Sequence, residues 1–310
     1  EPTRALLRTS FRNSCHVRAL NIHAWTFNLR TEALSDVDGA NAWAHRKHLV
    51  ADLLREGHPD IVGFQEMNPL MMAAVSQDLP QFKLHVGKCA GSHALDEFCP
   101  ILYNPNNLLL QNSGTSWLSE TPLFPSKSWE AAFARIVTWC TFDTVGDQRV
   151  TVLNTHLDHV SETARVRGGE VIWDLAQHFA DFGAVIVMGD FNCTKSSDTF
   201  QTLTAPFASG VVLHDAFQHA PASSRDTGGA WTTIHKFQGL AFGSNEGDGT
   251  VTFHRDASDP ALGQQHIDWI LFCGGGGVEL CPVSSRVITT PITDKPPSDH
   301  FPVSAEFTIS

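Results

Sequence analysis

The stretch Ala184-Val185-Ile186-Val187-Met188-Gly189-Asp190-Phe191-Asn192 decides the fold class of this chain. Its first five residues carry no charge and are rich in β-branched side chains, which predicts a buried parallel strand. Asp190 and Asn192 follow directly, so the strand ends in polar side chains. In open α/β sheets, ligands bind outside the carboxyl ends of the strands. The stretch therefore predicts an α/β protein with a polar site at a sheet edge.

Other predicted strands also end in acidic or amide side chains. Residues 61–64 form a short apolar segment that leads into Glu66, and a strand over residues 17–29 ends near Asn28. Asp299 lies at a further strand edge, next to His300. Mg²⁺ prefers oxygen ligands and usually takes one or two carboxylates from a protein. We therefore predict that Glu66 binds a divalent cation, Mg²⁺ or Mn²⁺, an interpretation supported by Asn28 and Asp299 at neighbouring strand edges; the alternative for Glu66 is a solvent-facing acid at a helix start.

Two acidic residues are candidates for catalysis. Asp190 and Asn192 are two residues apart, and on an extended segment they would point to the same side, where they could hold a water molecule. The alternative is an Asx turn that caps the next helix. Asp268 lies within an apolar strand, where a lone carboxylate is costly. We expect His300 to be its partner, since a carboxylate orients an imidazole and raises its basicity; backbone amides are the alternative.

A third group of candidates follows the predicted strand 150–154. His156 and His159 could be a zinc pair, but the HExxH motif and a clear third ligand are missing, so His156 is predicted to bind or protonate a phosphate oxygen. The alternative for His156 is a hydrogen-bonded imidazole with a structural role. Arg135 precedes another strand, and its forked guanidinium suits phosphate. A surface ion pair is the alternative for Arg135.

The pattern of elements indicates a tail over residues 1–17 and one domain over residues 18–310, because no linker rich in Pro, Gly or Ser divides the chain. Helices are predicted over 44–56, 70–79 and 163–182 from apolar residues that share one face. Hairpins are predicted for 98–103 with 108–110 and for 136–142 with 150–154. Further strands are predicted at 267–272, 286–289 and 302–308.

Composition bounds the function only loosely. The formal net charge of −12 argues against a broad phosphate-gripping surface, although a metal site can supply local positive charge. The longest apolar runs are too short to span a bilayer. The chain starts at Glu1 without a signal-like segment, which we interpret as a mature or trimmed product. Of the seven cysteines, Cys89 and Cys99 flank a loop that a disulfide could close. We expect a monomer, and the compartment stays open.

Several short motifs together resemble the endonuclease/exonuclease/phosphatase superfamily, the DNase I-like fold. Each is weak alone, but their joint order and spacing over about residues 18–307 are specific. The motifs are Thr26-Phe27-Asn28, Gly63-Phe64-Gln65-Glu66, Gly114-Thr115-Ser116-Trp117-Leu118-Ser119-Glu120-Thr121-Pro122, Asn154-Thr155-His156-Leu157, Gly189-Asp190-Phe191-Asn192, Ile267-Asp268 and Ser298-Asp299-His300. The form of the third and fourth motifs looks closest to a compact, mostly uncharacterised microbial branch.

The resemblance implies a four-layer α/β sandwich, in which two mixed sheets pack face to face with helices outside. It also implies roles for single residues. The metal would be bound by Glu66, Asn28 and Asp299, and the attacking water would be positioned by Asp190 and Asn192. His300 would be the catalytic histidine, supported by Asp268. His156 would be a second histidine, supported by Glu97, and Arg135 would contact the phosphate. The abasic-site nucleases of the family carry Tyr where this chain has His156. The chain departs from them and is closer to the DNase I and phosphatase side.

Three functions are consistent with these features. The first is a divalent-metal-dependent hydrolase of a phosphomonoester or phosphodiester, acting through an activated water. The second is a DNase I-type nuclease, although long basic insertions that would grip nucleic acid are missing. The third, a non-catalytic binding module, is disfavoured because every expected polar position is filled. The substrate is therefore a small phosphate ester or a nucleic acid, and the long loop over residues 231–259 could close over a small head group.

Overall fold

A computed structural model describes residues 20–31, 39–91, 97–242, 265–289 and 295–310. The strands are β1 (Leu20–Asn28), β2 (Ile61–Gln65), β3 (Lys83–His85), β4 (Ile101–Tyr103), β5 (Leu108–Trp117), β6 (Ile136–Thr144), β7 (Arg149–His156), β8 (Ala184–Asp190), β9 (His214–Asp215), β10 (Arg225–Asp226), β11 (Asp268–Cys273), β12 (Leu280–Val287) and β13 (Val303–Ile309). The helices are α1 (Trp43–Gly57), α2 (Pro69–Asp78), α3 (Glu162–Ala180), α4 (Asp198–Leu203) and α5 (Ala216–His219), with 3₁₀ turns at Ala222–Ser224 and Gly239–Ala241.

The strands form two mixed sheets. The first has the order β10-β12-β13-β1-β2-β4-β3, and the second has the order β5-β6-β7-β8-β11-β9. Strands β1 and β2 are parallel in the first sheet, as are β7 and β8 in the second. Strand β8 is antiparallel to β11, so the parallel pairing predicted for residues 184–188 holds on one side only. The carboxyl ends of both parallel pairs carry the predicted polar residues.

Alternation along the strands builds the layers. In β8, Ile186 and Met188 face the first sheet and pack in the core between the sheets, while Val185 and Val187 pack on the outer face beneath α3. Helices α1 and α2 cover the outer face of the first sheet through an apolar cluster of their own. Strands buried on both faces need apolar residues at every position, which explains the continuous apolar run. The predicted four-layer sandwich is confirmed.

A buried polar contact ties the two sheets together. Gln65 Nε2 donates to Asn154 Oδ1 at 2.7 Å, and Asn154 Nδ2 donates to the carbonyl oxygens of Phe64 and Pro100 at 2.7 and 3.0 Å. Gly63 allows this approach, since a Cβ atom there would lie 2.6 Å from Asn154 Oδ1. The tie fixes the end of β2 against the end of β7.

Most predicted elements are confirmed to within a few residues, but two predictions are wrong. Residues 98–103 and 108–110 do not form a hairpin, because β4 pairs with β2 and β3 whereas β5 pairs with β6 in the other sheet. Strand β12 begins at Leu280, earlier than predicted, and ends at Val287. The sequence left open whether Cys89 and Cys99 form a disulfide; Cys99 is a buried free thiol, so that disulfide is not formed.

Some predictions fall outside the described residues or are not tested. The tail over residues 1–17 and residues 243–259 of the long loop lie outside them, and the domain boundary at residue 18 stays a prediction. None of the described helices has both the length and the apolar composition needed to cross a bilayer.

Candidate active site

The polar ends of the two sheets meet in one cavity of about 540 Å³. Register accounts for part of this meeting, since His156 and Asp268 are the direct cross-strand partners of Asp190 on its two sides. Eight of the ten predicted site residues line the cavity: Glu66, Glu97, Arg135, His156, Asp190, Asn192, Asp299 and His300. The remaining two, Asn28 and Asp268, lie behind them and hydrogen-bond to members of this set.

Asp190 lies at the centre of the polar network. Its Oδ2 accepts a hydrogen bond from Asn28 Nδ2 at 2.9 Å and lies 3.5 Å from His156 Nε2 and 3.7 Å from His300 Nε2. Burial and the negative charge of Asp268 raise the pKa of Asp190, while the two imidazoles and Asn28 oppose the rise. A buried carboxylate with a raised pKa is suited to accept a proton from water.

The chain does not stay extended after Asp190, contrary to the prediction. Asn192 has a φ of 50°, and its backbone N–H donates to Asp190 Oδ1 at 2.9 Å, which makes an Asx turn. Asn192 Nδ2 donates to the carbonyl oxygen of Leu157 at 3.0 Å. Asp190 and Asn192 still line the same cavity, because the left-handed residue turns the chain back toward it.

His300 is paired with Asp268, as the sequence predicts. Its Nδ1 lies 2.9 Å from Asp268 Oδ2, and both side chains are buried. Burial alone would lower the pKa of His300, but the charges of Asp268 and Asp190 outweigh it and raise the pKa to about 10. His300 is therefore an imidazolium at neutral pH, with one N–H toward Asp268 and the other toward Asp190.

Arg135 organises the opposite wall. Its Nη1 lies 3.0 Å from His156 Nδ1 and 3.2 Å from Glu97 Oε2, and its Nη2 lies 3.2 Å from His159 Nδ1. Because a guanidinium only donates, both imidazoles accept at Nδ1. Burial and the charge of Arg135 lower the pKa of His156 to about 4, so His156 is neutral and carries its proton on Nε2, facing Asp190. The Nδ1 lone pairs of His156 and His159 already accept from Arg135, and His156 Nε2 carries a proton, which disfavours zinc there.

The motifs and the geometry agree with a comparison across protein families. A model of the endonuclease/exonuclease/phosphatase family matches residues 25–300. The chain belongs to this family. Enzymes of the family hydrolyse phosphate esters and commonly use divalent metals.

Similar proteins share this family fold. An endonuclease/exonuclease/phosphatase from Bacteroides vulgatus is 26% identical with a TM-score of 0.75, over 94% of this chain and 100% of that one. A mannosyl-6-phosphatase from Bacteroides thetaiotaomicron is 23% identical with a TM-score of 0.75, over 93% of this chain and 99% of that one. The uncharacterised protein L388 of Acanthamoeba polyphaga mimivirus is 29% identical over 169 residues, 52% of this chain, and the match spans only 63% of the viral protein.

The donor set around Glu66 fits a hard divalent cation. Glu66 and Asp299 are buried carboxylates in the cavity wall, and Arg30 lies between them, with Nη1 3.8 Å from Glu66 Oε2 and Nε 3.8 Å from Asp299 Oδ2. Burial raises the pKa of Asp299, and the charge of Glu66 raises it further, although His300 opposes the rise. Carboxylate oxygens are the ligands that Mg²⁺ or Mn²⁺ prefers. A bound cation would also offset the negative charge that these two neighbouring carboxylates bring into the cavity wall. Asn28 donates to Glu66 Oε1 at 3.0 Å and holds that carboxylate in place.

A second group of potential ligands is less suited to the ion. One ligand atom each of Asp190, Asp268 and His300 lies within 4.8 Å of the others. His300 Nδ1 is paired with Asp268 and its Nε2 faces Asp190, so neither nitrogen has an open lone pair in this arrangement. The group is better described here as a hydrogen-bonded cluster than as a metal site.

Sequence reasoning did not find several residues that build the site. Arg30 and Phe133 line the cavity, yet single cationic or aromatic residues in loops give little signal. Lys236 and Phe237, from the loop predicted to close over a head group, also line the cavity. Arg46 is buried and donates to the backbone oxygens of Leu29, Arg30 and Pro297, so it clamps two cavity loops together. In the sequence, Arg46 has the position of an ordinary exposed cation on α1, so its buried role could not be predicted.

Proposed function

We propose that this protein is a divalent-metal-dependent hydrolase of small phosphate esters. The observation that carries the proposal is the convergence on Asp190 of His156, His300 and Asn28, in a cavity whose other wall holds Glu66 and Asp299. A base, several donors and two carboxylates for a cation are the groups that phosphate ester hydrolysis needs.

The proposed roles follow from charge and hydrogen bonding. Asp190 holds the attacking water and accepts its proton. His300, fixed by Asp268, and Arg135 donate hydrogen bonds to the phosphoryl oxygens, where negative charge develops. His156 offers its Nε2–H to the same oxygens. A cation held by Glu66 and Asp299 would polarise a phosphoryl oxygen as a Lewis acid.

The dimensions and charge of the molecule favour a small substrate over nucleic acid. The cavity of about 540 Å³ lies within the range of roughly 300–1,000 Å³ that is typical of small-molecule sites. The net charge of −12 opposes a long polyanion. Because one structural neighbour is named a mannosyl-6-phosphatase, sugar phosphates come first among the compounds to test.

A substrate panel tests the proposal. Sugar phosphates, nucleotides, phospholipid head groups and supercoiled plasmid are incubated with Mg²⁺ or Mn²⁺, with and without EDTA. We expect hydrolysis of a small ester that EDTA abolishes, and a loss of at least about 100-fold in kcat for Asp190→Asn. Asp143→Asn is the control, since the side chain of Asp143 pairs only with Arg149 among the described residues, at the surface. Nicked plasmid with intact small esters would favour the nuclease, and no hydrolysis of any compound would contradict the proposal.

A further inference from the structure

One large aromatic side chain is exposed in the wall of this charged cavity. Phe133 is 59% exposed, while nearby positions in the wall hold charged or polar groups such as Glu97, Arg135 and His159. A ring beside a ligand site offers a large apolar contact surface. Attack on a phosphate group makes no use of such a ring, so any contact that Phe133 makes with the substrate lies outside the phosphate.

The backbone of Phe133 is held firmly in place by Asp158. Oδ2 of Asp158 accepts hydrogen bonds from the backbone N–H groups of Ala132 and Phe133 at 2.8 and 3.3 Å, and its Oδ1 accepts from Val160 and Ser161 at 3.0 and 2.7 Å. Burial acts to raise the pKa of Asp158, but these backbone hydrogen bonds outweigh it and lower the pKa. The carboxylate thus joins the loop before Arg135 to the loop after His156.

The ring of Phe133 adjoins the groups that would bind phosphate. The Cζ atom of Arg135 lies 5.7 Å from its centroid, and the ring of His159 lies at 20° to it with a centroid distance of 5.7 Å. Arg135 in turn reaches His156, which faces Asp190. A ring attached to a phosphate held by Arg135 would therefore be within reach of the exposed face of Phe133.

We propose that Phe133 stacks on a ring in the alcohol part of the substrate, so that the protein selects phosphate esters of cyclic compounds over acyclic ones. The inference rests on the proposed phosphatase function and names its substrate class. The shared chemistry is a ring face that can pack on an aromatic ring: the C–H face of a pyranose or the flat base of a nucleoside. Phe133 then determines specificity and takes no part in the chemical step.

The test compares Phe133→Ala and Phe133→Tyr with wild type on three probes: mannose 6-phosphate, adenosine 5′-monophosphate and glycerol 3-phosphate. Turnover is measured with Mg²⁺, and the affinity for the same compounds is measured by calorimetry in EDTA. The control is Phe182→Ala, because Phe182 is also 59% exposed but lies beyond the end of α3. Thermal melts establish that each variant is folded.

We expect Phe133→Ala to lower both kcat/KM and binding affinity for the preferred cyclic probe by about tenfold, which is the usual scale of ring stacking. For glycerol 3-phosphate, the same two quantities should change by less than about twofold. Phe133→Tyr should keep near-wild-type values for the cyclic probe, because tyrosine retains the ring. The probe that responds distinguishes a pyranose from a nucleoside. Equal losses on cyclic and acyclic probes, or no loss on either cyclic one, overturn the inference while ester hydrolysis by wild type stands. If wild type hydrolyses no ester, the proposed function fails, and the affinities alone decide the role of Phe133.

Discussion

Replacing Asn154 with alanine removes the side chain that ties the two sheets together behind the cavity. Asn154 is fully buried and makes three hydrogen bonds, with Gln65, Phe64 and Pro100. At about 1 kcal/mol net per bond, the expected loss in the free energy of unfolding is about 3 kcal/mol. Domains of this kind have roughly 5–15 kcal/mol in total, so the variant should still fold.

The same change should reduce activity, although Asn154 does not line the cavity. Gln65 directly precedes Glu66, and Asn154 is two residues before His156, so the tie sets the distance between the two walls. Misplacing reacting groups by about 1 Å costs on the order of 100-fold in rate. We therefore expect kcat for Asn154→Ala to fall by at least about tenfold, with a smaller change in KM.

Urea unfolding and steady-state kinetics measure the two effects. Asn112→Ala is a matched control in β5, since Asn112 is exposed and bonds only to its neighbour Ser113 among the interactions described. It should change stability by less than about 0.5 kcal/mol. A double-mutant cycle with Gln65→Ala should show coupling between the two side chains. The tie does not align the site if the free energy of unfolding of Asn154→Ala is within about 1 kcal/mol of the wild-type value and its kcat is within twofold of wild type.

Three further changes test other parts of the network. Asp268→Asn keeps the shape of the side chain but removes the charge beside His300. A hydrogen bond to a charged group contributes about 1.5–3 kcal/mol, so its loss should lower kcat roughly 10–100-fold in steady-state assays. Arg135→Lys loses the fork that serves several partners, so KM for a phosphate ester should rise about tenfold. Burial lowers the pKa of His23 below its usual 6.5, and its Nε2 accepts from Trp25 Nε1 at 2.8 Å. The unfolded chain therefore binds more protons than the folded one as pH falls below 6.5, and stability drops; in urea titrations at pH 7.5 and 5.5, His23→Gln should reduce that drop.

Each of these results can fail independently. Unchanged turnover in Asp268→Asn would mean that His300 does not need a charged partner. An Arg135→Lys variant with wild-type KM would remove Arg135 from phosphate binding. If His23→Gln loses as much stability on acidification as wild type does, other groups account for the acid sensitivity.

Local patterns predicted the buried strands and the helices on the sheets well, because burial on both faces of a strand leaves a clear signal, whereas the four layers came from the family resemblance. Strand β8 is apolar over residues 184–188, and its polar end at Asp190 marked the site. The register that brings His156 and Asp268 to the two sides of Asp190 was not visible, since strand order across a mixed sheet cannot be derived from local patterns. The family motifs supplied that long-range information.

The errors have local physical causes. Two strands separated by Asn104-Pro105-Asn106 have the sequence of a hairpin, yet each finds its partners in a different sheet. Asn192 was taken as extended, because its left-handed conformation depends on the hydrogen bond to Asp190. Arg30, Phe133 and Arg46 escaped notice because their roles come from tertiary contacts alone.

The most direct test of the central claim is calorimetric titration of Mn²⁺ into wild type and Glu66→Gln. Glu170→Gln is the control, since Glu170 pairs only with Arg167 on the surface in the structure described. We expect wild type and the control to bind one ion with the same affinity, and Glu66→Gln to bind it at least about tenfold more weakly, because one of the two carboxylate ligands is lost. Wild-type affinity in Glu66→Gln would contradict the assignment of the cation to the cavity between the two sheets.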